Sequence, residues 1–187
     1  MKKLLCLTIC LMASVCSFNA TASDFNYSYF DVGLSLIDND GADAAGIGAQ
    51  LSREVSDNLR VKLFYMYSEG LDVDFYVDDL VVTAGYRLAL KPQTDLVIDA
   101  GFITEWFSTN FTDNEDTGIY LAGLLRHKVD SGLELYGGAS YQSLFDDSDV
   151  AANIGVIFTP NAKTSIGING TSATVTSKTL FIRIYSD

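Results

Sequence analysis

Residues 80–106, LVVTAGYRLALKPQTDLVIDAGFITEW, carry a two-residue period, and that period restricts what the chain can become. One face collects Leu80, Val82, Ala84, Tyr86, Leu88 and Leu90, then Leu96, Ile98, Ala100, Phe102 and Trp106. The other collects Thr83, Gly85, Arg87, Asp99, Gly101 and Glu105. Side chains alternate in this way only along extended strands, so the spacing predicts two strands joined by a turn. Pro92 falls in that turn, where its missing N–H costs least. The apolar face is continuous and the other is small and charged, so the decisive question is what solvent the apolar face meets.

The same period runs through the rest of the chain. It predicts strands over residues 27–37, 44–54, 59–68, 117–128, 133–144, 150–159, 164–169 and 178–185, and the hairpin above supplies the fourth and fifth of ten. No segment beyond the first 22 residues shows a helical period. The connections after strands 2, 4, 6 and 8 are tight, whereas those after strands 1, 3, 5, 7 and 9 read as longer and mostly acidic. Membrane barrels have this asymmetry, with short turns on one side and longer loops on the other. The fold class that follows is all-β: an antiparallel up-and-down transmembrane β-barrel of ten strands, with eight as the alternative.

Residues 1–22 stand apart. Met1-Lys2-Lys3 is basic, residues 4–15 are mostly apolar, and Ala20-Thr21-Ala22 is a small-x-small site before Ser23, which is the pattern of a cleaved signal peptide. A dozen apolar residues fall short of the roughly 20 that a spanning helix needs. The chain therefore divides into a signal peptide, 1–22, and one barrel domain, 23–187. Cys6, Cys10 and Cys16 all lie in the leader, which leaves the exported chain without a disulfide or a thiolate metal site.

Charge excludes one class of partner. The chain has 12 basic and 24 acidic residues, a formal charge of −12, and loss of Lys2 and Lys3 makes the balance more negative. Nucleic acid phosphates would be repelled. More than half of the acids fall in predicted loops, among them Asp38, Asp43, Asp72, Asp79, Asp116 and Asp147. Clustered carboxylates can take hard cations, but Asp38-Asn39-Asp40-Gly41 lacks the later ligands of a calcium hand. A solvated acidic rim is the reading, with no metal and no cofactor.

If the apolar face meets lipid, the charged face lines a lumen and must be satisfied there. Glu54 and Arg60 are symmetric about Asp57, Arg87 and Asp99 about Gln93, and Arg126 and Glu134 about Asp130. Each pair unites opposite charges across a tight turn, where cross-strand neighbours face each other. Asp31 and Arg183, on the first and last strands, meet if those strands pair. These eight residues form the predicted lumen charge network. Small barrels fill their interiors with side chains, so an ion-paired plug is expected, with a selectivity ring as the other reading. Inward glycines such as Gly33, Gly85 and Gly155 leave room for a conduit. Tyr65, Tyr67, Trp106 and Tyr141 near the loops and Phe158 near the turns fit interfacial girdles.

Over the exported length the chain resembles the small outer-membrane β-barrels of Gram-negative bacteria, the OmpA/OmpX-like class. The resemblance rests on the leader, the alternating strands, the loop asymmetry and the final strand Thr179-Leu180-Phe181-Ile182-Arg183-Ile184-Tyr185. The hairpin Asp38-Asn39-Asp40-Gly41-Ala42-Asp43-Ala44-Ala45-Gly46-Ile47-Gly48 is also similar to one in the YfaZ-like proteins. The resemblance implies an outer-membrane location, with outer-membrane lipids, lipopolysaccharide and the assembly machinery as partners, and a monomer. Members of the class usually end on an aromatic residue, whereas Ser186 and Asp187 follow Tyr185 here.

Barrel proteases and lipid deacylases of this kind use histidine with acidic or serine partners, and the proteases hold theirs above the lipid on the outer side. The lone exported histidine, His127, is assigned to the turn end, so no enzyme is expected. The expected function is an integral barrel with a structural or surface-interaction role and a largely plugged lumen. A narrow porin-like channel is the alternative, and a hydrolase a lesser one. A periplasmic lipocalin-like barrel, apolar face inward, is the non-membrane alternative.

Overall fold

The computed structural model describes residues 25–38 and 42–186, and the predicted signal peptide lies outside them. Its ten strands are β1 (Tyr29–Asp38), β2 (Ala44–Ser56), β3 (Leu59–Gly70), β4 (Phe75–Lys91), β5 (Thr94–Thr109), β6 (Asp113–Lys128), β7 (Leu133–Leu144), β8 (Asp147–Asn161), β9 (Thr164–Ser172) and β10 (Thr176–Tyr185). Each is antiparallel to its neighbours in sequence, and β1 pairs with β10 from Tyr29↔Tyr185 to Asp38↔Thr176. The sheet thereby closes into an up-and-down barrel of ten strands, not eight, and no edge is left unpaired.

Alternation decides which residues line the inside. In β1, Tyr29, Asp31, Gly33 and Ser35 are buried, while Phe30, Val32, Leu34 and Leu36 are exposed. The exposed set continues round the barrel through Leu63, Val82, Phe102, Leu121, Ile154 and Leu180, with Leu34 64% and Ile154 70% exposed. An apolar belt encircling the whole barrel is far larger than a water-facing surface tolerates, and it matches the lipid-facing band of a transmembrane barrel. Arg60, Asp95, Asp99, Arg126, Glu134 and Arg183 are all buried on the opposite face. This overturns the lipocalin-like alternative, which needs the apolar face inside.

Two expectations about strand ends are also corrected. Tyr27 does not belong to the first strand: β1 begins at Tyr29, and residues 25–27 leave the wall. The long acidic loops are mostly strand. Only residues 71–74 separate β3 from β4, and only 110–112 separate β5 from β6, so Asp78, Asp79 and Asp116 lie within strands. Above the lipid, water accepts the acidic side chains while the ladder continues through the backbone, so acid-rich composition does not end a strand.

The result is a wall of uneven height. β4 has 17 residues and β5 and β6 have 16 each, against 10 in β1, 9 in β9 and 10 in β10. A tilted span needs about 9–11 residues, so the β4–β6 side rises well above the belt.

Leu121 faces outward near the middle of β6, and His127 faces outward beside the following turn. Leu121→Arg is expected to cost about 2–4 kcal/mol and His127→Arg only about 0–1 kcal/mol, because the penalty for a lipid-facing cation falls toward the interface. Urea-dependent folding into lipid vesicles, read from folded and unfolded bands on a cold gel, measures both.

Candidate functional site

The lumen holds its charges in a layer near the turn end. At the closing seam Arg183 donates Nε–H to Asp31 Oδ1 and Nη2–H to Asp31 Oδ2, both at 2.8 Å, and the two residues are register partners. The guanidinium sits 3.6 Å from the centre of the Tyr29 ring. Arg126 makes a similar fork onto Glu134 at 2.6 and 2.9 Å across β6 and β7. The second fork joins residues that turn symmetry pairs, and the first joins the two that meet once β1 and β10 close the barrel.

The other two predicted pairs exchange partners. Glu54 and Arg60 do face each other in the register, yet Arg60 donates instead to Asp99 at 3.2 and 2.8 Å, on β5 rather than β2. It reaches across Gly85 of β4, where a side-chain carbon would collide with Asp99 Oδ1 and lie 2.9 Å from Arg60 Cγ. Lys62 Nζ joins the same carboxylate at 3.1 Å. Arg87 is opposite Val97, not Asp99, because a register shift between Ala89 and Lys91 moves the hairpin centre. It lies 3.4 Å from Glu54 and 3.9 Å from Asp95.

All eight predicted residues thus face the lumen, and Lys62 and Asp95 complete their network. Both additions have the inward parity of Arg60 and Asp99, so the strand period contained the signal. Sequence symmetry assumes that partners sit on adjacent strands, and Arg60 breaks that assumption by crossing a glycine. The glycines do not leave a conduit at this level either. The space over Gly155 is taken by the Tyr136 ring, and that over Gly167 by the Phe181 ring.

Tyr27 shares the parity of Tyr29 and Asp31, but no sequence pattern pointed to Phe25 or to both rings leaving the wall. Both rings fold inside the barrel at the turn end and pack with Val97. Tyr27 is 1% exposed and donates its hydroxyl hydrogen to Asp95 Oδ2 at 2.9 Å. The guanidinium carbons of Arg126, Arg60 and Arg87 lie 4.4, 5.0 and 5.4 Å from its ring centre. Arg126 and Lys128 approach the Phe25 ring to 4.8 and 4.9 Å. Aromatic faces attract such cations, and more strongly away from water.

Above this layer the lumen is a cavity of about 740 Å³ whose lining extends from Arg60, Arg126 and Arg183 at the turn end to Asp149, Ala173 and Val175 at the loop end. Its walls differ. Phe64, Val81, Ile103 and Tyr120 make an apolar side on β3 to β6. On β7 to β9 the Asn153 amide donates to Ser140 at 3.1 Å and accepts from Thr171 at 3.0 Å. Near the mouth, Asp79, Glu105 and Asp116 are successive cross-strand neighbours on the inward face. Among the described residues no group of three or more His, Cys, Asp or Glu side chains is placed to hold a metal ion. His127 is outward, with Nδ1 2.9 Å from Thr94 Oγ1.

Solved structures share this architecture. A KdgM porin in complex with disordered oligogalacturonate aligns at 8% identity over 86% of this chain and 100% of its own, with a TM-score of 0.50. The NanC porin aligns at 8% identity over 84% and 99%, with a TM-score of 0.51. The chain has the fold of an outer-membrane β-barrel. No family model and no curated protein matches the sequence.

The seam pair offers a direct test of the charge layer. Arg183→Met should destabilise the barrel by about 3–5 kcal/mol, because it leaves Asp31 buried without its cation. Asp31→Leu/Arg183→Met should cost less than the single change. Asp99→Asn should cost more than Glu54→Gln, since Asp99 holds two cations and Glu54 is partly solvated. Denaturant titration of the folded barrel in lipid gives all four values.

Proposed function

We propose that the protein is an integral barrel of the bacterial outer membrane, exported through a signal peptide cleaved after Ala22, with a structural or surface-interaction role and a lumen that does not conduct at rest. The observation that carries this reading is the layer in which Arg60, Arg87 and Arg126 surround Tyr27, with every arginine also facing a carboxylate. It fills the cross-section at the turn end. With the rings in place, an ion crossing it would have to leave water for a poorly solvated interior, which costs several kcal/mol.

Outer-membrane lipids, lipopolysaccharide and the assembly machinery are the partners this reading entails, with the barrel acting as a monomer. No catalytic role is assigned. The only described histidine is on the outer wall at the turn end, away from the cavity.

A second reading, a narrow channel for small solutes, is favoured by the cavity itself. An open volume of about 740 Å³ that reaches the loop end is more than a solid structural plug requires. The two porins of like fold agree with that reading, although a shared fold does not transfer their solutes.

Planar-bilayer recording of the purified wild-type protein separates the two. The resting reading expects no resolved conductance steps from protein that migrates as a folded barrel, and that fractionates with the outer membrane. Regular ion-selective steps from the wild type would establish the channel instead.

A further inference from the structure

The segment before the first strand occupies the barrel without being part of its wall. β1 begins at Tyr29, and residues 25–27 lie outside the paired strands. Ser28 tethers them at the wall: its carbonyl accepts from Ser186 N at 3.0 Å and its hydroxyl from Glu54 N at 3.2 Å. Beyond that tether Tyr27 is held by one hydroxyl hydrogen bond, to Asp95, and by three guanidinium groups against its ring.

The arginines that surround this segment each face a carboxylate, and Asp95 also accepts the Tyr27 hydroxyl hydrogen. Arg60 is paired with Asp99, Arg126 with Glu134, and Arg87 with Glu54 and Asp95. Departure of Phe25 and Tyr27 would give up the Tyr27–Asp95 hydrogen bond and the ring contacts, but would leave the Arg60–Asp99 and Arg126–Glu134 pairs and the strand ladder in place. The guanidinium faces that they cover would gain water, which solvates such groups readily.

Tyr27 and Arg60 lie between the large cavity and a small crevice of about 10 Å³ at the turn end. The large cavity above is lined by Arg60 and Arg126. The crevice is lined by Tyr27, Glu54, Asn58, Arg60 and Arg87. Arg60 borders both spaces, and the Tyr27 ring lies against it, so Tyr27 and its arginines form the partition. Resting on the closed-lumen reading above, we infer that residues 25–27 are a displaceable plug hinged at Ser28, and that their release joins cavity to crevice and turns the barrel into an aqueous pathway.

The geometry explains why the plug is aromatic. A ring fills the central space between three cations without adding a charge that would need its own partner. A lysine there would be repelled, and a carboxylate would compete for arginines already engaged. The tyrosine hydroxyl supplies one directional bond, to Asp95, and so fixes the ring's position. Phe25 lies in the same cluster, against Val97 and Arg126, so the two rings close the turn end together.

Single-channel recording in planar bilayers tests this on full-length exported protein, with the heat-modifiable folded band as the check on structure. Wild type is expected to stay closed. Phe25→Ala/Tyr27→Ala, which removes both rings, should show sustained conductance steps. Tyr27→Phe, which keeps the ring and its packing while losing the bond to Asp95, should fold as wild type does and open briefly at least tenfold more often. Closed recordings from folded wild type and both variants overturn the plug and leave the closed-lumen reading standing. Wild-type conduction equal to that of Phe25→Ala/Tyr27→Ala overturns both.

Discussion

In hydrocarbon no water is available to a bare backbone N–H or carbonyl, so a sheet that spans it must pair every strand on both sides. The β1–β10 seam is where this chain meets that demand. Its register places Asp31 opposite Arg183, and the bidentate fork between them is buried with the Tyr29 ring beneath the guanidinium. Closure and charge satisfaction therefore support each other. A one-residue slip of β10 against β1 would turn Arg183 toward lipid, bring Ile182 into the lumen and leave Asp31 buried without its cation. That reciprocal penalty gives the seam a unique register, which sheet pairing alone would not enforce.

The rest of the interior follows from how far long side chains can reach across small ones. Gly85 lets Arg60 cross β4 and grip Asp99, which brings charges from β3 and β5 to one level. Arg126 with Glu134 and Arg87 with Glu54 add to the same level from other strands. Gathering the inward arginines in one layer leaves the lumen above it open, with Asp79 and Glu105 near its mouth. The cavity and the closed turn end are thus two results of one packing choice.

Most of this architecture can be read from residue parity alone. The Leu80 to Leu90 and Leu96 to Ala100 series point outward as their alternation requires, and so do Leu180, Ile182 and Ile184. All eight residues of the predicted charge network are inward for the same reason. Parity fixes a face but not a partner, which is why Glu54 and Arg87 were matched to the wrong residues. Hairpin symmetry is also disturbed by the shift between Ala89 and Lys91. Asp78 and Asp79 looked like loop because acidic runs usually are, but on a wall raised above lipid both faces tolerate charge. Tyr27 continued the alternation of the first strand, and nothing local distinguishes a ring in the wall from one that turns into the lumen. That distinction depends on Arg60, Arg87 and Arg126, three residues distant in sequence.

The unequal strands shape the entrance like the lip of a jug. The high side, β4 to β6, carries Asp72, Asp74, Asp113 and Glu115 on or beside its crest, while the connection between β9 and β10, residues 173–175, is Ala-Thr-Val and uncharged. A solute descending from bulk water over the crest meets a negative field before it reaches the opening. The low side is not free of charge: Thr174 donates to Asp149, and Asp38 stands opposite Thr176. The lip is therefore uneven in height while its acids stand on both sides, so height rather than charge separates the approach over the crest from the approach over the low side.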